Sequence, residues 1–140
     1  MTALRFLLDT NILSEPLRPR PSADVMQRLK DNAGTVVVAT VAWHEILFGY
    51  HRMPQSNKRE ILEAYLREEI RDKMPLLSYD IAAAEWFALE RSRLVSLGKT
   101  PAYADRQIAA IAQVNRLILV TRNLSDYADF QNLRLENWFS

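Results

Sequence analysis

The 140-residue chain contains no cysteine, which excludes a disulfide framework and a thiolate zinc site and leaves nothing that asks for an oxidising compartment. Its three glycines, Gly34, Gly49 and Gly98, are too few and too scattered for a GxGxxG dinucleotide loop or a Walker lysine loop. Its two histidines, His44 and His51, would stand roughly 10 Å apart on one helix, a separation at which a pair seldom ligates one metal. The stretch "HEILF" (44–48) has Phe48 where a zinc peptidase helix needs its second histidine. Long apolar runs are missing too: "MTALRFLLDTN" holds a three-residue apolar run before Asp9, far short of a signal-peptide core or a membrane span. No membrane partner and a cytoplasmic location are therefore expected. A net charge of +1 and a pI near 8.1 give no overall basic excess, so a polyanionic partner must be held by local patches.

What is present is ordinary globular material, 49% hydrophobic and 25% charged, in a length suited to one domain spanning 1–140. "RFLL" (5–8), "TVVVA" (35–39) and "RLILV" (116–120) read as short buried strands, and "PLLS" (75–78) as a weaker fourth. Helical patterns fall at 22–31, 40–52, 57–73, 80–97 and 101–114, with Gly34 and Gly98 marking two of their ends. Strands alternating with helices predict a parallel α/β sheet. Pro19 and Pro21 make "RPRPS" a rigid connector until Ser22 caps the next helix. Residues 57–73 place Ile61, Leu62, Tyr65, Leu66 and Glu69 at helical spacing, the pattern of a surface helix with solvated charges. Trp43, Trp86 and Phe87 lie in helical segments and read as core rather than as base-stacking platforms.

The first strand runs "FLL" straight into Asp9. Most acids at a strand end only cap the next helix, so the question is what else stands nearby. Glu45 lies in "TVAWHEILFGY" (40–50), apolar on every side, which predicts a largely buried helix in which a carboxylate must meet a cation, a metal or solvent in a cleft. Asp105 opens a helix and shares a face with Ile108, Ala109 and Ala112, so it points along the core-directed stripe, which service to the helix dipole alone would not require. In "LVTRNLSDY" (119–127) a buried strand again ends in oxygen-bearing residues, Thr121, Asn123 and Asp126. Ligands of open α/β sheets gather beyond the carboxyl ends of the strands, and all four segments can meet there. Acids without cysteine or a spaced histidine pair form an oxygen-only site suited to Mg²⁺ or Mn²⁺, and such ions can activate water for phosphodiester hydrolysis.

These residues carry a resemblance. "LLDTNILSEPLR" (7–18), "TVAWHEILFG" (40–49), "ADRQIAAIA" (104–112), "LVTRNLSDY" (119–127) and "LRLENWF" (133–139) stand in the order and spacing of the PIN-domain ribonucleases, specifically the VapC toxins of type II toxin–antitoxin pairs. The resemblance covers the whole length. It implies a three-layer α/β/α sandwich around a short parallel sheet, an Mg²⁺- or Mn²⁺-dependent endoribonuclease site acting on RNA, a homodimer, and neutralisation by a cognate VapB-like antitoxin. The family's first three acids fall on Asp9, Glu45 and Asp105. The fourth has two places: many members carry an acid directly after "TR", where this chain has Asn123, and others use the residue three further on, here Asp126. Thr10, Asn11 and Thr121, with Asn123, are expected to orient the carboxylates, and Arg18, Arg20, Lys99, Arg106 and Arg122 to lie near flanking phosphates. Two other readings stand beside the toxin: a PIN nuclease of RNA processing, and a weakly catalytic module whose acidic cleft engages a basic partner.

Overall fold

The computed structural model describes residues 3–100 and 103–139, and for 103–105 the backbone alone. Its strands are β1 (Phe6–Leu8), β2 (Val36–Ala39), β3 (Leu76–Leu77), β4 (Ile118–Val120) and β5 (Leu135–Glu136). Its helices are α1 (Thr10–Leu13), α2 (Ala23–Asp31), α3 (Thr40–His51), α4 (Asn57–Tyr65), α5 (Ile81–Ser96), α6 (Tyr103–Val114) and α7 (Leu124–Tyr127), with a 3₁₀ turn at Glu15–Leu17 and a π-helical segment at Leu66–Arg71. The strands form one parallel sheet in the order β3-β2-β1-β4-β5.

The uninterrupted apolar runs of β1 and β2 are explained by burial on both faces. Side chains alternate across the sheet. On one side Leu7, Val37 and Leu119 pack with Phe87 and Leu94 of α5 and with Ile108, Ala109 and Ala112 of α6. On the other, Phe6, Leu8, Val38 and Val120 pack with Ile12, Val25, Ala42, Ile46, Leu66 and Ile70. This is the three-layer α/β/α sandwich that the resemblance to PIN-domain ribonucleases implies. Truncating a residue such as Leu7, fully buried at its centre, costs about 2–5 kcal/mol.

Capping follows the expected chemistry. The Ser22 hydroxyl accepts from Val25 N–H at 3.3 Å and Asp80 from Ala83 N–H at 2.9 Å. Gly34 and Gly98 take the left-handed conformation, φ 87° and 74°, that lets the chain leave a helix end.

Three expectations need correction, and one strand, β5, was not expected at all. The strand expected at 116–120 starts at Ile118, because Arg116 sits at φ 56° where Leu117 N–H still bonds Ala112 C=O in the exit from α6. The helix expected over 57–73 changes to π-helical at Leu66, which turns Leu66 and Ile70 into the core. β5 is only two residues long, too short for any period, and exists because β4 offers it a free edge: Leu119 N–H bonds Arg134 C=O and Thr121 N–H bonds Glu136 C=O. Finally, α3 is not largely buried. Ala42 and Ile46 are buried, Trp43, Leu47 and Tyr50 pack half-buried beside them, and His44, Glu45, Phe48 and Gly49 face solvent. An apolar composition does not bury a helix that covers the sheet from outside.

Candidate active site

The sheet order places the site. From β1 the chain moves out through β2 to β3, then returns across to β4 on the other side of β1, so the topological switch point lies between β1 and β4. Leu8 pairs with both Val38 and Val120, so the central strands end level, and Asp9 and Thr121 leave the sheet side by side at its carboxyl edge. Asp9 N–H bonds Val120 C=O at 2.9 Å, which fixes the acid to the neighbouring strand.

Asp9 is 8% exposed. Its Oδ1 accepts from Thr10 N–H at 2.8 Å, capping α1, so the modest role of a strand-end acid is real. Its Oδ2 accepts from the Thr121 hydroxyl at 2.8 Å and from the Tyr127 hydroxyl at 3.3 Å. Every donor here is neutral. Among the described residues no lysine or arginine pairs with Asp9, so this nearly buried carboxyl group has no compensating side-chain cation. That arrangement fits a bound divalent ion, which would complete the charge balance.

The other expected site residues are placed less tightly. Glu45 is exposed in the second turn of α3, so of the alternatives open to it solvent is the one met here. The side chain of Asp105 lies outside the described residues; its backbone belongs to the first turn of α6, which packs against α3. Asp126 is exposed in the single turn of α7, and Asn123, also exposed, stands just before it. Among the described residues no three acids or histidines are gathered as a metal cluster.

Of the expected orienting residues, Thr121 touches Asp9 directly. Thr10 does so through its backbone N–H. Asn123 acts one step out, donating its N–H to Thr121 Oγ1 at 3.1 Å, and Asn11 accepts from Arg122 N–H at 3.2 Å rather than meeting a carboxylate. Among the cations, Lys99 bonds Asp129 at 2.8 Å and Arg18 lies 3.9 Å from Glu15, so both have acidic partners. Arg20 is exposed and Arg106 half-buried. The exposed Arg122 guanidinium lies over the Phe139 ring, 4.5 Å from its centroid.

Sequence reading gave Tyr127 no role. Its signal was available: a tyrosine at a position that the sheet buries needs a partner for its hydroxyl. Two buried acids were also missed, and both are structural. Glu15 accepts from Ser22 N–H at 2.7 Å. Glu90 binds Arg93 and accepts from Gln131 N–H at 3.0 Å; burial alone would push its carboxyl up, but those donors hold it below the usual carboxylate range.

Comparison with known proteins decides the family. The PIN domain model matches residues 6–130. The chain belongs to the PIN-domain family, among its VapC ribonucleases. It is 31% identical over 137 residues to the tRNA(fMet)-specific endonuclease VapC of Shigella flexneri, covering 96% of this chain and 98% of that one. It is 32% identical to the toxin FitB of Neisseria gonorrhoeae, covering 86% and 89%. The DNA-bound VapBC structure from Salmonella typhimurium superposes with a TM-score of 0.83 at 26% identity, covering 96% of this chain and 98% of that one.

Proposed function

We propose that this PIN-domain chain, a single domain throughout, is the toxin of a type II toxin–antitoxin pair, a cytoplasmic endoribonuclease that hydrolyses RNA phosphodiester bonds with Mg²⁺ or Mn²⁺. The observation that carries the reading is Asp9: a carboxylate 8% exposed, at the switch point of a parallel sheet, hydrogen-bonded on both oxygens and neutralised by none of the described cations. Ribonuclease and toxin relatives of matching length support the choice of substrate and biological role. Among the described residues no helix is long and apolar enough to cross a membrane.

In this reading Asp9 and Asp105 hold the ion, with Glu45 and either Asp126 or the Asn123 side-chain oxygen completing the ligand set. A divalent ion there supplies the Lewis acid that makes water a competent nucleophile near neutral pH and offsets charge on the phosphate. The chain's own task is orientation. The Thr121 hydroxyl and the Thr10 N–H hold the two Asp9 oxygens in one rotamer, and the backbone bonds of Asp9 to Val120 and of Thr121 to Glu136 fix both residues to the sheet.

An antitoxin and a second copy are the proposed protein partners. A cleft of about 460 Å³ lined by Leu13, Pro16, Met26, Leu29, Tyr65 and Met74 supports a seat for an apolar antitoxin segment. Exposed Ile81, Leu89 and Val95 on α5 support self-association. The test is direct: purified chain is incubated with RNA and Mn²⁺, with chelator, and as Asp9→Asn and Asp105→Asn. Cutting that requires the metal and both acids, in variants that melt normally, is the expected result; cutting at the wild-type rate by either variant removes that residue from the site. Growth arrest on expression, relieved by a co-expressed antitoxin, separates the toxin from a processing nuclease.

A further inference from the structure

The carboxyl edge of the sheet holds Asp9, whose negative charge would oppose a phosphate, so a cation is needed to bring RNA beside it, and the sequence offers five candidates. We propose that Arg122, stacked on Phe139, is the residue that positions an RNA phosphate at the mouth of the site, with the C-terminal "NWF" segment as its platform. This rests on the ribonuclease reading above.

Arg122 follows Thr121, whose hydroxyl bonds Asp9, and its own N–H is held by Asn11 Oδ1 at 3.2 Å from α1, the helix that Asp9 caps. Its backbone is therefore tied to the Asp9 site from two sides. Among the described residues no acid pairs with its guanidinium, in contrast to Lys99 and Arg18. The guanidinium instead lies 4.5 Å from the Phe139 ring centroid. A ring holds a guanidinium through its positive charge without consuming an acceptor, so its N–H donors remain available to grip a phosphate in a bidentate pair. The ring is itself anchored. Phe139 N–H bonds Asn137 Oδ1 at 2.9 Å, and the preceding Trp138 is fully buried edge-on against Phe6, its centroid 5.2 Å away. A side chain that would otherwise sample many rotamers in solvent is thus held beside the acidic edge before RNA arrives.

The test uses the full chain carrying Asp9→Asn, so that RNA is bound without being cut. Affinity for unfractionated tRNA and for a labelled single-stranded RNA of mixed sequence is measured across a salt series. Arg122→Gln should weaken binding about tenfold, as loss of a charge-assisted contact does. It should also flatten the slope of log K against log salt by about 0.7 to 0.9, one phosphate's share. Arg122→Lys should keep the slope while losing part of the affinity. Phe139→Leu should weaken binding several-fold and Phe139→Trp should restore it, a recovery that packing alone would not require of the larger ring. In cleavage by the otherwise unmodified chain, the Arg122 and Phe139 changes should raise KM more than they lower kcat. Wild-type affinity and slope in Arg122→Gln overturn the proposal. A loss in Arg122→Gln with none in Phe139→Leu overturns the platform and leaves only the charge. If the chain with Asp9 intact cuts no RNA and the Asp9→Asn chain binds none, the ribonuclease reading fails and this inference with it, an outcome distinct from either of the others.

Discussion

At the level of single residues, the site depends on Asp9, a carboxyl group almost buried, held on both oxygens by neutral donors and paired with none of the described cations. Thr121 is the closest side chain to it, and Thr121→Val removes a 2.8 Å bond to Asp9 Oδ2 while leaving the shape. It should cost about 1–3 kcal/mol, the loss expected when a buried acceptor forfeits its donor, read from denaturant midpoints, and it should lower kcat because the Asp9 rotamer is freed. A divalent ion at about a hundred times its Kd should add roughly 2.7 kcal/mol and raise Tm on the order of 10 °C. Asp9→Asn should shrink that rise. Asp126→Asn should do likewise only if Asp126 is the fourth ligand, and Asn123→Asp should enlarge the rise if that position faces the ion; melting curves with Mn²⁺ and with chelator separate the two. Asp9 could be read from the sequence because a three-residue apolar strand has nowhere to hide an acid except at its end. Tyr127 could not, since its bond to Asp9 spans 118 positions and no local pattern announces it.

Among the elements, two ties hold the layers around the site. The Tyr65 hydroxyl, at the end of α4, donates to Leu13 C=O at 2.5 Å, which fastens α4 to the end of the helix that Asp9 caps. Burial first, then the charge of Glu69, pushes that hydroxyl up to about 12. Its folded value is thus raised above the unfolded one near 10, so this contribution is present below about pH 10 and fades as pH climbs toward 12. Tyr65→Phe should cost about 1 kcal/mol at neutral pH and remove that alkaline component; unfolding titrations at pH 7 and pH 11 would show it, and an unchanged alkaline limb would count against the tie. On the opposite face Glu90 of α5 binds Arg93 and Gln131 N–H, with Arg93 also donating to Asp129 C=O at 2.7 Å, which secures the segment that follows α7. Its carboxyl is lowered, so the stabilisation is present above the ordinary carboxylate range and is lost as pH falls through it. Glu90→Gln should destabilise at pH 7 by roughly 1–3 kcal/mol and flatten the acid limb of the stability curve. The strand runs and the cap at Ser22 were legible because their causes are local. The shift to π-helix at Leu66, the two-residue β5 and the exposure of Glu45 were not, because each is decided by what packs against the segment.

For the molecule as a whole, parallel order does the work that no single motif does. A chain that visits β1, β2 and β3 and then crosses back to β4 must leave a crevice between β1 and β4, and Asp9 and Thr121 are the residues the register delivers to it. The parallel α/β architecture was readable from alternation alone; the full sandwich and the roles of Glu45 and Asp105 were implied by the likeness to PIN-domain ribonucleases, and the family match across residues 6–130 bears out that likeness. The central proposal is that the site at Asp9 cuts RNA by hydrolysis, and that a divalent ion held by Asp9 and Asp105 would supply the Lewis acid. The chemistry of the cut ends tests it most directly. Purified chain is incubated with RNA and Mn²⁺, and the ends are sequenced by ligation with and without prior phosphorylation. Hydrolysis by water through this site is expected to leave 5′-phosphate and 3′-hydroxyl ends that vanish with chelator and with Asp9→Asn. Cyclic 2′,3′-phosphates, or cutting that survives both treatments, would contradict it.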